Sequence, residues 1–165
     1  MSKIENMKQD LANAGIKIDQ LNFKHAFGDD IIEAPKEMIH ALLSHFKKSQ
    51  RFDFLMDVCG ADYPQREKRF DVVYHLFSSK DASRVRLKAQ VGEGESIPTA
   101  TDVWKGADWF EREAFDMFGI RFEGHPNLRK ILTHEEFVGH PLRKDYDADL
   151  QQHATRVMPI RFDDQ

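Results

Sequence analysis

Glu111 and Glu113 stand two residues apart in Trp109–Phe118, WFEREAFDMF, where most other residues are aromatic or apolar. A carboxylate among aromatics is costly to bury unless it is paired and hydrogen-bonded. Two chemistries fit this placement. Burial raises a glutamate pKa and suits it to general acid or base work, as in an independent hydrolase using both residues. Alternatively, each carboxylate receives Arg side chains or backbone N–H groups and serves structure. The segment supplies no nucleophile, metal set or cofactor loop to complete a site, so the structural reading is the stronger. Arg112 and Asp116, four apart on the remaining polar edge, are expected to pair.

Beyond this helix, Gly124-His125-Pro126 and Gly139-His140-Pro141 use the same tripeptide twice. Gly permits positive φ, and Pro fixes its own φ while pushing the preceding His toward extended backbone. Each unit is therefore a defined bend carrying an imidazole. Leu128-Arg129-Lys130 and Leu142-Arg143-Lys144 follow closely. A stiff bend, an apolar anchor and an Arg suit a segment laid over another protein, where Arg grips carboxylates through two parallel bonds. His125, His134 and His140 with Glu135 or Glu136 are a conceivable zinc set, but their spacing matches no compact metal motif.

The elements that must position these residues read as follows. Lys3 to Ala14 is a short helix stopped by Gly15, and Ile16 to Ile18 begins a strand. Gly28-Asp29-Asp30 is a turn before a short strand at Ile31-Ile32. Met38, Ile39, Leu42, Leu43 and Phe46 form one apolar stripe on a helix started by Pro35. Phe54 to Ala61 reads as a central strand. Phe70 to Phe77 alternates, as does the strand carrying Val85, Leu87, Ala89 and Val91, whose other face bears Arg84, Arg86 and Lys88. That basic stripe is a solvated face, or less simply a dock for an acidic partner. Ser96 to Gly106 is a loop. Asp108 with Glu111 resembles a capping box, and Gly119 fits a left-handed helix stop. Strands in a block with helices elsewhere indicate a two-layer α+β domain with a mixed, mainly antiparallel sheet and a long extended C-terminal arm. Residues 1–106 form the α+β part, and residues 107–165 the helix and partner-binding arm.

Of 165 residues, 41% are hydrophobic and 32% charged, the balance of one soluble globular domain. The formal charge of -4 argues against general nucleic-acid binding. No apolar run approaches membrane-spanning length, and the N-terminus lacks a secretory h-region, so a cytoplasmic location is expected. The single cysteine, Cys59, excludes an internal disulfide and a multi-cysteine iron–sulfur cluster. It reads as a small buried residue, with no Lys, Arg or His within three positions to activate it. No glycine-rich phosphate loop is present.

EREAFDMFGIRFEGHPNLRKIL followed by GHPLRKDY resembles the signature of the thirty-kilodalton subunit family of respiratory complex I, the C-type subunits of bacterial NADH-quinone oxidoreductase. A weaker likeness runs upstream through RFDFLMDVCGADYPQREKRFDVVYHLF and SIPTATDVWKGADWFERE. The resemblance implies a non-catalytic scaffold in the peripheral arm, on the cytoplasmic side of the bacterial inner membrane. It implies a hetero-oligomer in which the arm wraps the D-type, forty-nine-kilodalton subunit beside the quinone-reducing module. FMN, iron–sulfur clusters, NADH and quinone would be bound by other subunits. The chain itself would hold no cofactor and have no activity alone, while the complex carries electrons from NADH to quinone and translocates protons or other cations. Ending soon after GHPLRKDY, it reads as unfused to its D-type partner. The signature maps onto Glu111, Arg112, Glu113, Asp116, Phe118 and Gly119 of the helix, then onto His125, Pro126 and Arg129. It closes on Gly139, His140, Pro141, Leu142, Arg143, Asp145 and Tyr146. The equivalent subunit of a membrane-bound [NiFe] hydrogenase is the related alternative.

Overall fold

A computed structural model describes residues 3–49, 51–149 and 152 of the chain. The rest of the tail, included above in the 107–165 segment, lies outside the described residues.

Alternating apolar residues build one five-stranded sheet. The strands are β1 (Asn22–Ala26), β2 (Asp29–Ala34), β3 (Phe54–Asp62), β4 (Phe70–Phe77) and β5 (Arg84–Val91), in the order β1-β2-β5-β4-β3. The β2–β5 pair is parallel and the other three pairs are antiparallel, giving the mixed sheet expected. Helix α2 (Lys36–Lys48) makes the β2-to-sheet crossover and buries Ile39, Leu42, Leu43 and Phe46. Helix α1 (Lys3–Asn13) adds Met7 and Leu11 to the same cluster. Helix α3 (Ala107–Phe118) adds Ala107 and Ala114, and Ile120 and Phe122 follow from beyond its end. The strands contribute Val72, Tyr74, Leu87 and Ala89 from one face. The helices thus gather on one side of the sheet, and the domain is two-layered.

Several local expectations change. Ile16–Ile18 is not a strand; a 3-10 turn at Ile18–Gln20 precedes β1. The first turn sits at Phe27-Gly28, both at positive φ, so Asp29 and Asp30 already belong to β2. β3 lies at the sheet edge, not its centre. Periodicity reports which faces of a strand are buried, not how many neighbours it has, and packing by α3 supplies the apolar demand. The loop after Gly94 contains β6 (Ser96–Pro98), which pairs in parallel with β7 (Arg121–Glu123). Asp108 does not cap α3: Gly106 is the N-cap, without a side-chain cap bond.

The basic stripe of β5 meets acids on its own sheet. Arg86 pairs with Asp29 at 2.8 Å, and Lys88 reaches Asp71, which also binds Arg66 at 2.7 Å. Two of the stripe's three cations thus have acids on their own sheet, while Arg84 is exposed.

Candidate functional site

Helix α3 exists because Ala107, Ala114 and Met117 give it a core face, and Gly119 stops it at φ +78°. The chain then folds back along the helix, and α3's own polar side chains hold it there.

Glu111 is fully buried and faces away from the arm. Its carboxyl takes the Ala100 N–H at 2.6 Å and lies 2.5 Å from the Thr99 hydroxyl. Burial dominates and lifts its pKa to about 7, although these two hydrogen bonds oppose the rise. It fastens the β6 loop to the helix, in place of the expected cap. Glu113 is exposed, not in a buried arc. Two residues along a helix are about 200° apart, so the glutamates diverge and form no acid–base pair.

Arg112 and Asp116 do not pair with one another. The Arg112 guanidinium donates to the carbonyls of Arg129 and Lys130 at 3.2 and 3.1 Å. Asp116 is buried; one oxygen accepts the N–H groups of Ile131, Leu132 and Thr133 at 2.8–3.0 Å, and the other accepts the Thr133 hydroxyl at 2.5 Å. Burial pushes the Asp116 carboxyl up, but four donors outweigh it and hold the pKa below the ordinary carboxylate value. A helix side chain satisfying an irregular segment's backbone is stronger than an exposed i, i+4 pair, because those amides need partners once covered.

The bends place their imidazoles on the helix. The His125 side chain is fully buried; Nε2–H donates to the Asp108 carbonyl at 3.2 Å, and Nδ1 accepts the Asn127 N–H. Pro126 holds that bend at the surface. His140, before Pro141, donates from Nδ1 to the Asp116 carbonyl at 2.9 Å. Gly139, at φ +89°, lets the chain turn over Tyr146, whose ring stacks on Phe137 at 5.9 Å. At Gly119 an added Cβ would lie 2.6 Å from His140 Nε2 and 2.8 Å from an Arg143 nitrogen, so the stop residue is also the seat of the second bend. His134 packs its ring edge against Phe137. The three histidines therefore have separate tasks, and the metal-ligand group found among the described residues is a different one, Asp57, Cys59 and His75.

Arg143 works within its own chain. Its Nε donates to the Phe118 carbonyl at 2.7 Å, its Nη1 meets Glu93 at 2.6 Å, and its guanidinium lies over the Phe70 ring. Beside it, Arg69 is a latch. It makes two bonds to Asp62, at 2.7 and 2.9 Å, and two to Asp145, at 2.9 and 2.6 Å. Asp62 also accepts the Lys144 N–H at 2.8 Å. The Arg69 guanidinium holds both carboxyls below their ordinary values, and they hold Arg69 firmly protonated.

With its polar groups turned inward, the arm turns apolar side chains outward. Trp109, Leu132, Val138 and Leu142 are 64%, 63%, 71% and 54% exposed. The pattern of Respiratory-chain NADH dehydrogenase, 30 Kd subunit, matches residues 32–152. The chain belongs to that family. The C/D subunit of NADH-quinone oxidoreductase from Bdellovibrio bacteriovorus is 68% identical over all 165 residues, which span 29% of that relative. The C subunit of NADH-quinone oxidoreductase from Agrobacterium fabrum is 49% identical over 141 residues, 84% of this chain and 68% of the relative. In structure, a chain of the membrane-bound sulfane sulfur reductase, an archaeal respiratory membrane complex, aligns at TM-score 0.73 and 26% identity, covering 88% of this chain and 85% of that one.

Membership of this family gives the signature a physical meaning here. Arg112, Asp116, His140, Arg143 and Asp145 all bind their own chain. Arg129 offers its carbonyl to Arg112 and keeps its side chain outside. The residues that sequence reading missed are Arg69, Asp62, Glu93 and Thr99. For Asp62 and Arg69 the signal was charge density around the turn before β4, which reads equally well as a solvated turn; Glu93 and Thr99, in the loops after β5 and β6, carried none. No described helix is long and apolar enough to cross a membrane.

Proposed function

We propose that this chain is a non-catalytic scaffold of an NADH:quinone oxidoreductase, seated peripherally on the cytoplasmic side of the membrane. The outward face of its folded-back arm docks on the D-type, forty-nine-kilodalton subunit and supports the quinone-reducing module. One observation carries this reading: between Trp109 and Leu142 the polar side chains of Arg112, Asp116, His125 and His140 bond to their own chain while four large apolar side chains face solvent. A preformed segment of this kind docks with little further loss of chain entropy. The Bdellovibrio relative, whose name joins C and D, fits a C-type unit working beside a D-type unit. On this reading FMN, NADH and quinone sit on other subunits, as do the clusters, which one cysteine cannot ligate in the usual way. The isolated chain should then give no flavin, haem or cluster absorption and no turnover.

The test is co-purification of the D-type partner with the chain carrying Trp109→Asp and Leu142→Asp. Both side chains are exposed, so the free variant should melt within a few degrees of wild type. Loss of the partner at unchanged stability supports the docking face. Undiminished co-purification removes it.

A further inference from the structure

Three metal-ligand side chains of different chemistry meet on the face of the sheet that carries no helix. Asp57 and Cys59 are two apart on β3 and so share a face. Asp57 lies directly opposite His75 of β4. A ligand atom from each lies within 4.8 Å of the other two, and all three side chains are partly buried.

A backbone irregularity makes this meeting possible. The β3–β4 register shifts between Leu55 and Asp57: Leu55 pairs with Leu76, and Asp57 pairs with His75. Met56 is the extra residue. In a regular strand Asp57 would share the inward face of Leu55. The bulge turns it to the open face, beside Cys59 and across from His75.

We propose that Asp57, Cys59 and His75 form a binding site for one zinc-class divalent cation, which pins the edge strand β3 to β4 at the bulge. Thiolate, imidazole and carboxylate are the zinc donor set, and three protein ligands leave a fourth position for water. Tetrahedral ligands at zinc bond lengths sit roughly 3.5 Å apart, so atoms now within 4.8 Å of one another need close by only about 1 Å on binding. Burial is the first influence on both groups: with Asp57 it pushes the Cys59 thiol up to about 11, and with Arg86 it holds the His75 imidazole below its ordinary value, so the ring is neutral and the metal must displace the thiol proton. The opposing cations, Arg86 and Lys88, are engaged by Asp29 at 2.8 Å and by Asp71. On binding, the Cys59 sulfur forms the metal bond and its proton leaves to solvent. This proposal is independent of the docking role of the arm.

The experiment titrates the full chain with cobalt(II) and then displaces it with zinc(II). Because Cys59 is the single cysteine, a cobalt–thiolate charge-transfer band has one possible origin. The expected result is one ion per chain, no such band in Cys59→Ser, and at least about tenfold weaker binding in Asp57→Asn and His75→Gln. Zinc should also slow modification of wild-type Cys59 by a thiol reagent at least about tenfold, with protection reduced in Asp57→Asn. Circular dichroism checks each fold, and Asp57→Asn carries the decision if His75→Gln fails to fold. The proposal is overturned if the wild type gives no thiolate band. It is equally overturned if Asp57→Asn binds as tightly as wild type, because the thiol alone would then hold the ion.

Discussion

Replacing Arg69 with alanine should loosen the arm and destabilise the whole domain, by unequal amounts at its two carboxylate partners. Asp62 is 1% exposed at its side chain, and Arg69 is 9% exposed. Removing the guanidinium leaves a buried carboxylate with the Lys144 N–H as its remaining partner, so the loss should be about 3 kcal/mol, the lower end for a broken buried pair. Asp145 is 57% exposed at its side chain, where solvent screens the pair. Asp145→Asn should therefore cost only about 0–1 kcal/mol globally. Urea unfolding followed by circular dichroism measures the first quantity. Hydrogen exchange at Lys144 and Tyr146 measures the second, and both variants should expose those amides more than wild type. The pH dependence has a definite sign. Both carboxyls are held low by Arg69 in the folded chain, so their stabilisation is present above the ordinary value of 3.8 and is lost as pH falls below it. Arg69→Ala should flatten that acid limb. The reasoning fails if Arg69→Ala unfolds within about 1 kcal/mol of wild type, or if Asp145→Asn costs as much.

Glu111 should give the opposite pH sign: its carboxyl moves from 4.5 to about 7, so the folded chain holds the extra proton and stability falls as pH rises across that window. At about 1.4 kcal/mol per pH unit the loss approaches about 3 kcal/mol; Glu111→Gln, which keeps an acceptor for the Ala100 N–H and removes the buried ionisable group, should be more stable than wild type at pH 8, while Glu111→Ala should be less stable, as urea midpoints at pH 5 and 8 will show. Gly119→Ala should destabilise by more than about 1 kcal/mol through its φ of +78°. It should also raise hydrogen exchange at Leu142 and Arg143, because the new Cβ meets His140 and Arg143; unchanged exchange there would refute that seat for the second bend.

Local patterns carried much of this fold. The α2 stripe, the alternation of β4 and β5 and the Gly119 stop depend on neighbours a few residues away, and each emerged at its expected place. The family signature was legible for the same reason: it is a continuous run of unusual residues. Partner choice within that signature was not legible. Arg112 and Asp116 have ideal spacing for a helical pair, yet each binds the returning chain at least 15 residues onward. An exposed ion pair is worth a few tenths of a kcal/mol, whereas amides covered by the fold must find acceptors.

The sequence by itself determined the family, the α+β class and the density of charge and aromatics between Trp109 and Tyr146. It also determined, through a single cysteine, that no disulfide forms within the chain. Only tertiary structure decided that β3 is an edge strand, that Arg69 reaches 76 residues along the chain to Asp145, and that a bulge brings Asp57 and Cys59 to His75. The physical reason is range. Helical and strand periodicity encode which way a side chain faces, but the partner it meets there depends on strand order and register, which arise only when distant segments pack together.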